Sequence, residues 1–310
     1  MSDILRPRAQ AQMVEHGLDA MVVAKPENYA WATGAAPGVA SFFRRAGSAL
    51  ALIPADASRP ISAVATELFA APARAALGEA QVLSHPDWVE TADIRPWLDS
   101  SLSAAELAQL SWQLAGRTPG FSRPAVFDAR LAFARLGELL NKEGLQGARI
   151  GLDLDFWPVA DFALMREQLP LFHWLDGSAV LGAIKAVKSQ REITKLRQAT
   201  SIAEAGMRTA ISAVREGITR DAIAAAWRAG VEAEVQRTGQ RLSGQWEYTS
   251  VGPLPWQGGG AVQRGDVIKF DVGCLIEGYS SDSGRTFSCG PARPRTREIM
   301  QALSDAFSAG

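Results

Sequence analysis

The sequence predicts an α/β domain over residues 1–182 followed by an α+β domain over residues 183–310. Its first half alternates short apolar runs of strand type with helical stretches. Two long helical stretches follow from about residue 189, and the last part turns to strands around a Glu277-Gly278 turn. Strands separated by helices imply a layered domain with a mostly parallel or mixed sheet. With 310 residues, 47% of them hydrophobic, the chain is long enough for two ordered domains with separate cores.

The first domain opens with a helical stretch from Ile4 to His16, closed by Gly17. Ala20 to Ala24 (AMVVA) is a short apolar run of the kind that forms a buried strand. Pro26 opens a helical turn that runs through Trp31 and stops at Gly34. Further strands are expected at Ala49–Ile53, Ile61–Val64, Ala125–Phe127 and Arg149–Leu152. Helices are expected at Glu67–Leu77, Ser103–Ala115, Leu131–Leu140 and Pro158–Gln168.

The second domain begins with Ser189–Val214, which has no proline, and its Ile193, Leu196, Ile202 and Ala203 recur at helical spacing. Ser189 and Glu192 form a capping-box pattern at its start. A second helix follows over about 220–236 with Thr219 as N-cap. Gln245–Val251 and Val267–Gly273 read as strands, and Leu275–Phe287 as a hairpin. Pro291–Pro294 ends the sheet, and Arg295–Phe307 reads as a final helix.

Composition excludes several partners. Lys plus Arg is 32 and Asp plus Glu is 33, a net charge of -1, so nothing marks a surface for nucleic acid or an anionic membrane. No apolar run has the length to span a bilayer. The opening residues lack the apolar stretch of a signal peptide, so a cytoplasmic setting is expected. The two cysteines, Cys274 and Cys289, are expected to be small buried hydrophobes rather than a disulfide. The three histidines, His16, His85 and His173, are dispersed and are expected on the surface or in packing. Gly258–Gly260 has no following Lys-Ser/Thr and is not a phosphate loop.

The chemistry is concentrated in RGDVIKFDVG (264–273) and YSSDSGRTF (279–287). Asp271 ends an apolar strand, and Asp282 lies eleven residues later, beyond a hairpin turn that can set the two on adjacent strands. Two carboxylates held together repel unless a cation sits between them. Hard or borderline divalent ions such as Mn²⁺, Zn²⁺ or Mg²⁺ suit such oxygen ligands. Solvated strand aspartates, or a salt bridge to Arg285, account for the same residues without a metal.

The run GDVIKFDVG…GYSSDSGRTF resembles the first metal-ligand hairpin of the pita-bread metallohydrolases, the aminopeptidase P, prolidase and creatinase family. Ala186–Ile193 with Leu196, Arg197 and Ala199 resembles the opening helix of that catalytic domain. Gly17-Leu18-Asp19-Ala20, Pro26-Glu27-Asn28-Tyr29 and Thr33-Gly34 resemble the start of its N-terminal domain. The resemblance implies a creatinase/prolidase-like N-terminal domain, then a pita-bread domain in which Asp271 ligates one metal and Asp282 bridges two. It also implies a Mn²⁺ cofactor, or Zn²⁺ or Co²⁺, a peptide or small amide substrate, Xaa-Pro dipeptidase or aminopeptidase chemistry, and a homodimer.

The sequence departs from that pattern in three ways. The family site uses two Asp, one His and two Glu, and this sequence has no histidine after His173. Only the first half of the pita-bread domain is therefore expected, with metal bound weakly or not at all and this chain inactive alone. Where many relatives have a pocket histidine in a Leu-Pro-His context, this sequence has Leu254-Pro255-Trp256. An indole donates but accepts nothing, so Trp256 is expected as a pocket wall. Gly284 stands where a threonine often precedes the arginine. Two other readings follow: a binding module that keeps the fold without chemistry, and a creatinase-like metal-free amidinohydrolase, against which both retained aspartates argue.

Overall fold

A six-stranded mixed sheet, in the order β4-β3-β2-β1-β5-β6, organises the first part of the chain. The computed structural model describes residues 4–38, 40–86, 95–114, 127–252 and 260–310. Its elements run in order from α1 (Arg6–Glu15), β1 (Ala20–Val23), α2 (Pro26–Thr33) and α3 (Ala40–Phe43) to β2 (Ala49–Pro54), β3 (Ser62–Thr66) and α4 (Ala70–Leu77). They continue with β4 (Val82–His85), α5 (Ala104–Leu114), α6 (Ala129–Lys142), β5 (Arg149–Leu152), α7 (Val159–Gln168), β6 (His173–Asp176) and α8 (Ser178–Ala186). β1 pairs antiparallel with β2 and parallel with β5. β2 pairs antiparallel with β3, while β3/β4 and β5/β6 are parallel.

Strand alternation divides the core into two layers. Met21 and Val23 of β1 join Ala9 and Met13 of α1, Tyr29 and Trp31 of α2, and Leu181 and Ile184 of α8. Ala20 and Val22 face the other way, against Phe133, Leu136 and Leu140 of α6 and Met165 of α7. Because both faces are covered, β1, β2 and β3 are buried along their whole length, which is why they read as unbroken apolar runs rather than alternating ones.

Asp153, just past β5, is fully buried. It accepts hydrogen bonds from the backbone N–H of Ala24 and Lys25 at 3.0 Å, from Asn28 Nδ2 at 2.9 Å and from Trp157 Nε1 at 2.9 Å. Those backbone donors immediately precede α2, so Asp153 caps that helix start from a distant strand. Burial pushes the Asp153 carboxyl above its ordinary range, opposed by the hydrogen bonds from Asn28, Ala24, Lys25 and Trp157.

Three features of this unit differ from the sequence expectation. β4 and β6 were not expected, and both are edge strands of the sheet. Of the strand expected at 125–127, only Phe127 lies among the described residues. The two compact units divide after Ser189 rather than at 182/183. α8 carries Val180, Leu181 and Ile184 into the first core, which holds it in the first unit.

The second unit, Gln190–Gly310, begins with α9 (Gln190–Ala213) and α10 (Arg220–Thr238). Thr219 caps α10, its Oγ accepting from Ala222 N–H at 3.2 Å. The strands are β7 (Gly244–Val251), β8 (Val267–Ile276), β9 (Tyr279–Ser280) and β10 (Ser283–Ser288), followed by α11 (Pro294–Ala309). The order is β10-β8-β7 with β9 also on β8, and every pairing is antiparallel. Ile202, Ala203 and Met207 of α9 and Ile223, Trp227 and Val231 of α10 cover one face of the sheet. There they meet Ile268, Phe270, Val272, Cys274 and Ile276, the even-numbered residues of β8. Trp227 is fully buried and donates from Nε1 to the Ala203 carbonyl at 3.1 Å. Gly206 lets the helices close up, since a Cβ there would lie 2.7 Å from Val231 and 2.8 Å from Trp227. Cys274 and Cys289 are buried free thiols, and burial pushes Cys274 up to about 11.

Candidate metal site

The odd-numbered residues of β8 point to the face that α9 and α10 leave open. In that set Asp271 is exposed and Lys269 is half-buried. The turn after β8 is built by Glu277 at φ 49° and Gly278 at φ 82°, two successive left-handed residues of the kind a tight hairpin requires. Glu277 is not a glycine, and its side chain is tied down. It pairs with Lys195 Nζ at 2.9 Å and Arg191 Nη2 at 2.9 Å, both from α9. Lys195 also lies 4.4 Å from the centre of the Tyr279 ring, and the Tyr279 hydroxyl donates to Glu192 at 3.1 Å. The Lys195 hydrogen bond, with the charges of Lys195 and Arg191, holds the Glu277 carboxyl below the ordinary range.

This clamp fixes the register of the returning strand. Leu275 stands opposite Ser280 in β9, and Val272 stands opposite Ser283 in β10. Asp271 faces Gly284 on β10 and Tyr248 on β7. Asp282 lies between the two paired stretches, and the same register continued through it would set it opposite Gly273, diagonal to Asp271, a relation that puts Cα atoms about 7–8 Å apart in a regular ladder. Asp282 is also exposed.

Asp271 faces a glycine on β10, so no cross-strand side chain crowds its carboxylate from that strand. A Cβ on Gly284 would meet only the Phe270 carbonyl at 3.4 Å, leaving that position open. A Cβ on Gly273 would collide with the Ser281 carbonyl and the Trp246 ring. Trp246 lies over Gly273 and donates to Ser280 Oγ at 3.2 Å. Tyr248 stands next to it, ring centres 6.0 Å apart.

Among the described residues, no hydrogen bond or ion pair reaches either carboxylate. Arg285, the alternative partner read from the sequence, instead pairs with Glu204 of α9 at 3.2 Å. Two neighbouring carboxylates with no internal donor suit a divalent cation as part of its ligand set. Among the described residues, no group of three or more His, Cys, Asp or Glu gathers to complete such a set. The histidines lie in the first unit: His16 and His173 are exposed, and His85 is buried with its ring nitrogens against the carbonyls of Pro86 and Gly47. Trp256, the expected pocket wall, lies outside the described residues. The glycine opposite Asp271 was not singled out as such from the sequence. The signal was present, since the hairpin centre at 277/278 fixes which residues face each other.

Comparison with known proteins agrees with this architecture. The Creatinase/Prolidase N-terminal domain family matches residues 6–193, and Metallopeptidase family M24 matches residues 194–310. An Xaa-Pro dipeptidase of Lactobacillus delbrueckii subsp. lactis is 24% identical over 185 residues, covering 59% of this chain and 50% of that protein. A creatinase of a Bacillus species is 23% identical over 171 residues, covering 53% of this chain and 42% of that protein. The chain thus spans about half the length of these curated relatives. Among solved structures, an Xaa-Pro dipeptidase from Bacillus anthracis superposes with a TM-score of 0.65 at 14% identity, over 97% of this chain and 69% of that one. A prolidase from Thermococcus sibiricus gives 0.63 at 18% identity, over 99% and 71%. At such identities the superpositions establish the fold. The chain belongs to the creatinase/prolidase N-terminal domain family, whose model covers more than half of it, and its remaining residues, 194–310, match metallopeptidase family M24.

Proposed function

We propose that this chain carries the first part of the metal site of a hydrolase that cleaves C–N bonds in Xaa-Pro dipeptides or related small amides. The observation behind it is the pair Asp271 and Asp282, exposed, unpartnered among the described residues and carried by the clamped hairpin. A divalent ion bound between such carboxylates supplies the charge that acidifies a water and polarises a carbonyl. The protein's own part is to fix the carboxylates in register through the Glu277–Lys195 contact. Manganese is the expected ion, with zinc or cobalt as substitutes. A cytoplasmic setting and a homodimer complete the reading, on the strength of the resemblance. No helix among the described residues is long and apolar enough to cross a membrane.

Two carboxylates give few of the roughly six donors that a hard divalent ion takes, so the 310 residues are expected to bind an ion weakly and to turn over nothing alone. The test is an assay of the purified chain on Ala-Pro and Leu-Pro with Mn²⁺, Zn²⁺ or Co²⁺ added. No release of proline above the blank is expected. Metal-dependent release that is abolished in D282A would show that these residues already form a working site.

A further inference from the structure

None of the 16 residues of α11 is buried. Ile299, Met300, Leu303 and Phe307 recur at three- and four-residue spacing and so share one helix face. They are 50%, 42%, 59% and 89% exposed. The first three line a groove of about 420 Å³ whose other side includes Val267 and Lys269 of β8 and Thr286 of β10. A helix of this length is marginal in water by itself and takes its stability from burying its apolar face. The charges of α11 also run against its dipole. Arg295 and Arg297 lie in the first turn with Arg293 at the N-cap, the first turn holds no acidic residue, and the last turn holds no basic one. A helix standing alone favours the reverse. Arg293 is answered by Asp266 at 3.4 Å and Arg295 by Glu298 at 2.8 Å. Among the described residues, Arg297 meets only the Ala292 carbonyl, at 2.9 Å.

We infer that α11 is an interface between two copies of this chain, paired antiparallel across a two-fold axis. The same apolar stripe then serves both copies, as an isologous contact requires. An antiparallel copy sets Arg297 of each chain against the last turn of the other α11, where the helix carbonyls concentrate negative charge. A parallel copy instead sets two basic first turns side by side. With Met300 facing Leu303 across the axis, each Phe307 falls beside Thr296 and Ile299 of the second copy, at its groove. The ring of Phe307 alone brings about 150–250 Å² of contact area. Together with Ile299, Met300 and Leu303, and counted on both copies, the apolar area reaches the roughly 1,000 Å² at which specific interfaces begin. Neither Asp271 nor Asp282 takes part, so the association is independent of the metal reading.

The test follows the full 310-residue chain by sedimentation velocity at micromolar concentrations in EDTA, with far-UV circular dichroism as the control for folding. The wild type should sediment as a concentration-dependent dimer. L303E and F307S change exposed positions, so they should keep the dichroism spectrum while raising the dissociation constant about tenfold or more. R297E suits the dipole of α11 itself, so a purely local role predicts no loss. The interface predicts a dissociation constant raised about threefold or more, from two symmetric charge contacts. A monomeric wild type would overturn the proposal, as would an association unchanged in L303E and F307S, or one that R297E leaves unchanged or strengthens. A monomer that co-sediments with phosphatidylglycerol vesicles, and loses that binding in L303E, would overturn it too, since the face would then serve a membrane surface.

Discussion

Asp153 follows β5 and Asp271 lies within β8, and the protein treats these two sheet-borne aspartates in opposite ways. In the first unit helices cover both faces, and Asp153 is sealed in with four donors contributed by Ala24, Lys25, Asn28 and Trp157. Asp161, also buried, is gripped by Arg45 from Nε at 2.7 Å. In the second unit only one face is covered and Asp271 stands on the other; it and Asp282 have no internal partner among the described residues. A carboxylate whose hydrogen-bonding capacity is met from within holds the fold together. One whose capacity is left open can take a ligand from without.

The largest expected effect separates these two kinds of aspartate. D153A strands four buried donors and should destabilise the protein by about 3 kcal/mol or more in urea unfolding. D271A removes an exposed, unpartnered group and should stay within about 0.5 kcal/mol. Comparable losses in both would erase the distinction. The next contrast lies across one sheet. W227A empties a fully buried site on the covered face and should cost about 3–5 kcal/mol. Y248A on the open face, where Tyr248 is 64% exposed and touches the Trp246 ring of its own strand, should cost less than about 1 kcal/mol, as for an exposed substitution that loses one aromatic contact.

The smallest effect depends on pH and has opposite signs in the two units. The Glu277 carboxyl is held low by Lys195 and Arg191. Its contribution is therefore present above the unfolded carboxylate range and lost as pH falls through the depressed folded value. Since Glu277 is largely exposed, E277Q should cost under about 1 kcal/mol at neutral pH, with the difference from wild type vanishing in acid. Asp153 is shifted upward by burial. Its contribution is fully present below the unfolded value and is lost as pH rises through the raised folded one. Denaturation series from acid to neutral pH on wild type, E277Q and D153N would show both trends. A gap between E277Q and wild type that persists unchanged in acid would remove the Glu277 half of the contrast.

How legible each unit was follows from the same geometry. β1 and β2 are buried on both faces and announce themselves as AMVVA and ALALI. β4 (VLSH) and β6 (HWLD) lie at the sheet edges, where lower burial tolerates polar residues and the apolar run disappears. α8 lies where the sequence suggested a boundary, because its apolar face serves a core built mostly from residues far earlier in the chain. Asp153 carried no local signal, since Ala24, Lys25 and Asn28 are more than a hundred positions away. Asp271 and Asp282 were legible because hairpin pairing is local: the turn at Glu277-Gly278 sets every partner on both sides. The wall that Trp246 lays over Gly273 was not legible, because it depends on β7, which joins the hairpin across a long connection.

The central claim is that Asp271 and Asp282 act together as one open carboxylate pair for a divalent ion. Titrating the chain with Mn²⁺ and following the free-ion signal by electron paramagnetic resonance tests it directly. At most one ion per chain should bind, with a dissociation constant on the order of 10⁻⁴ M or weaker, as few protein ligands allow. D271N and D282N should each abolish that binding. Binding that survives both substitutions would contradict the claim, as would tight uptake of two ions per chain or no uptake at all.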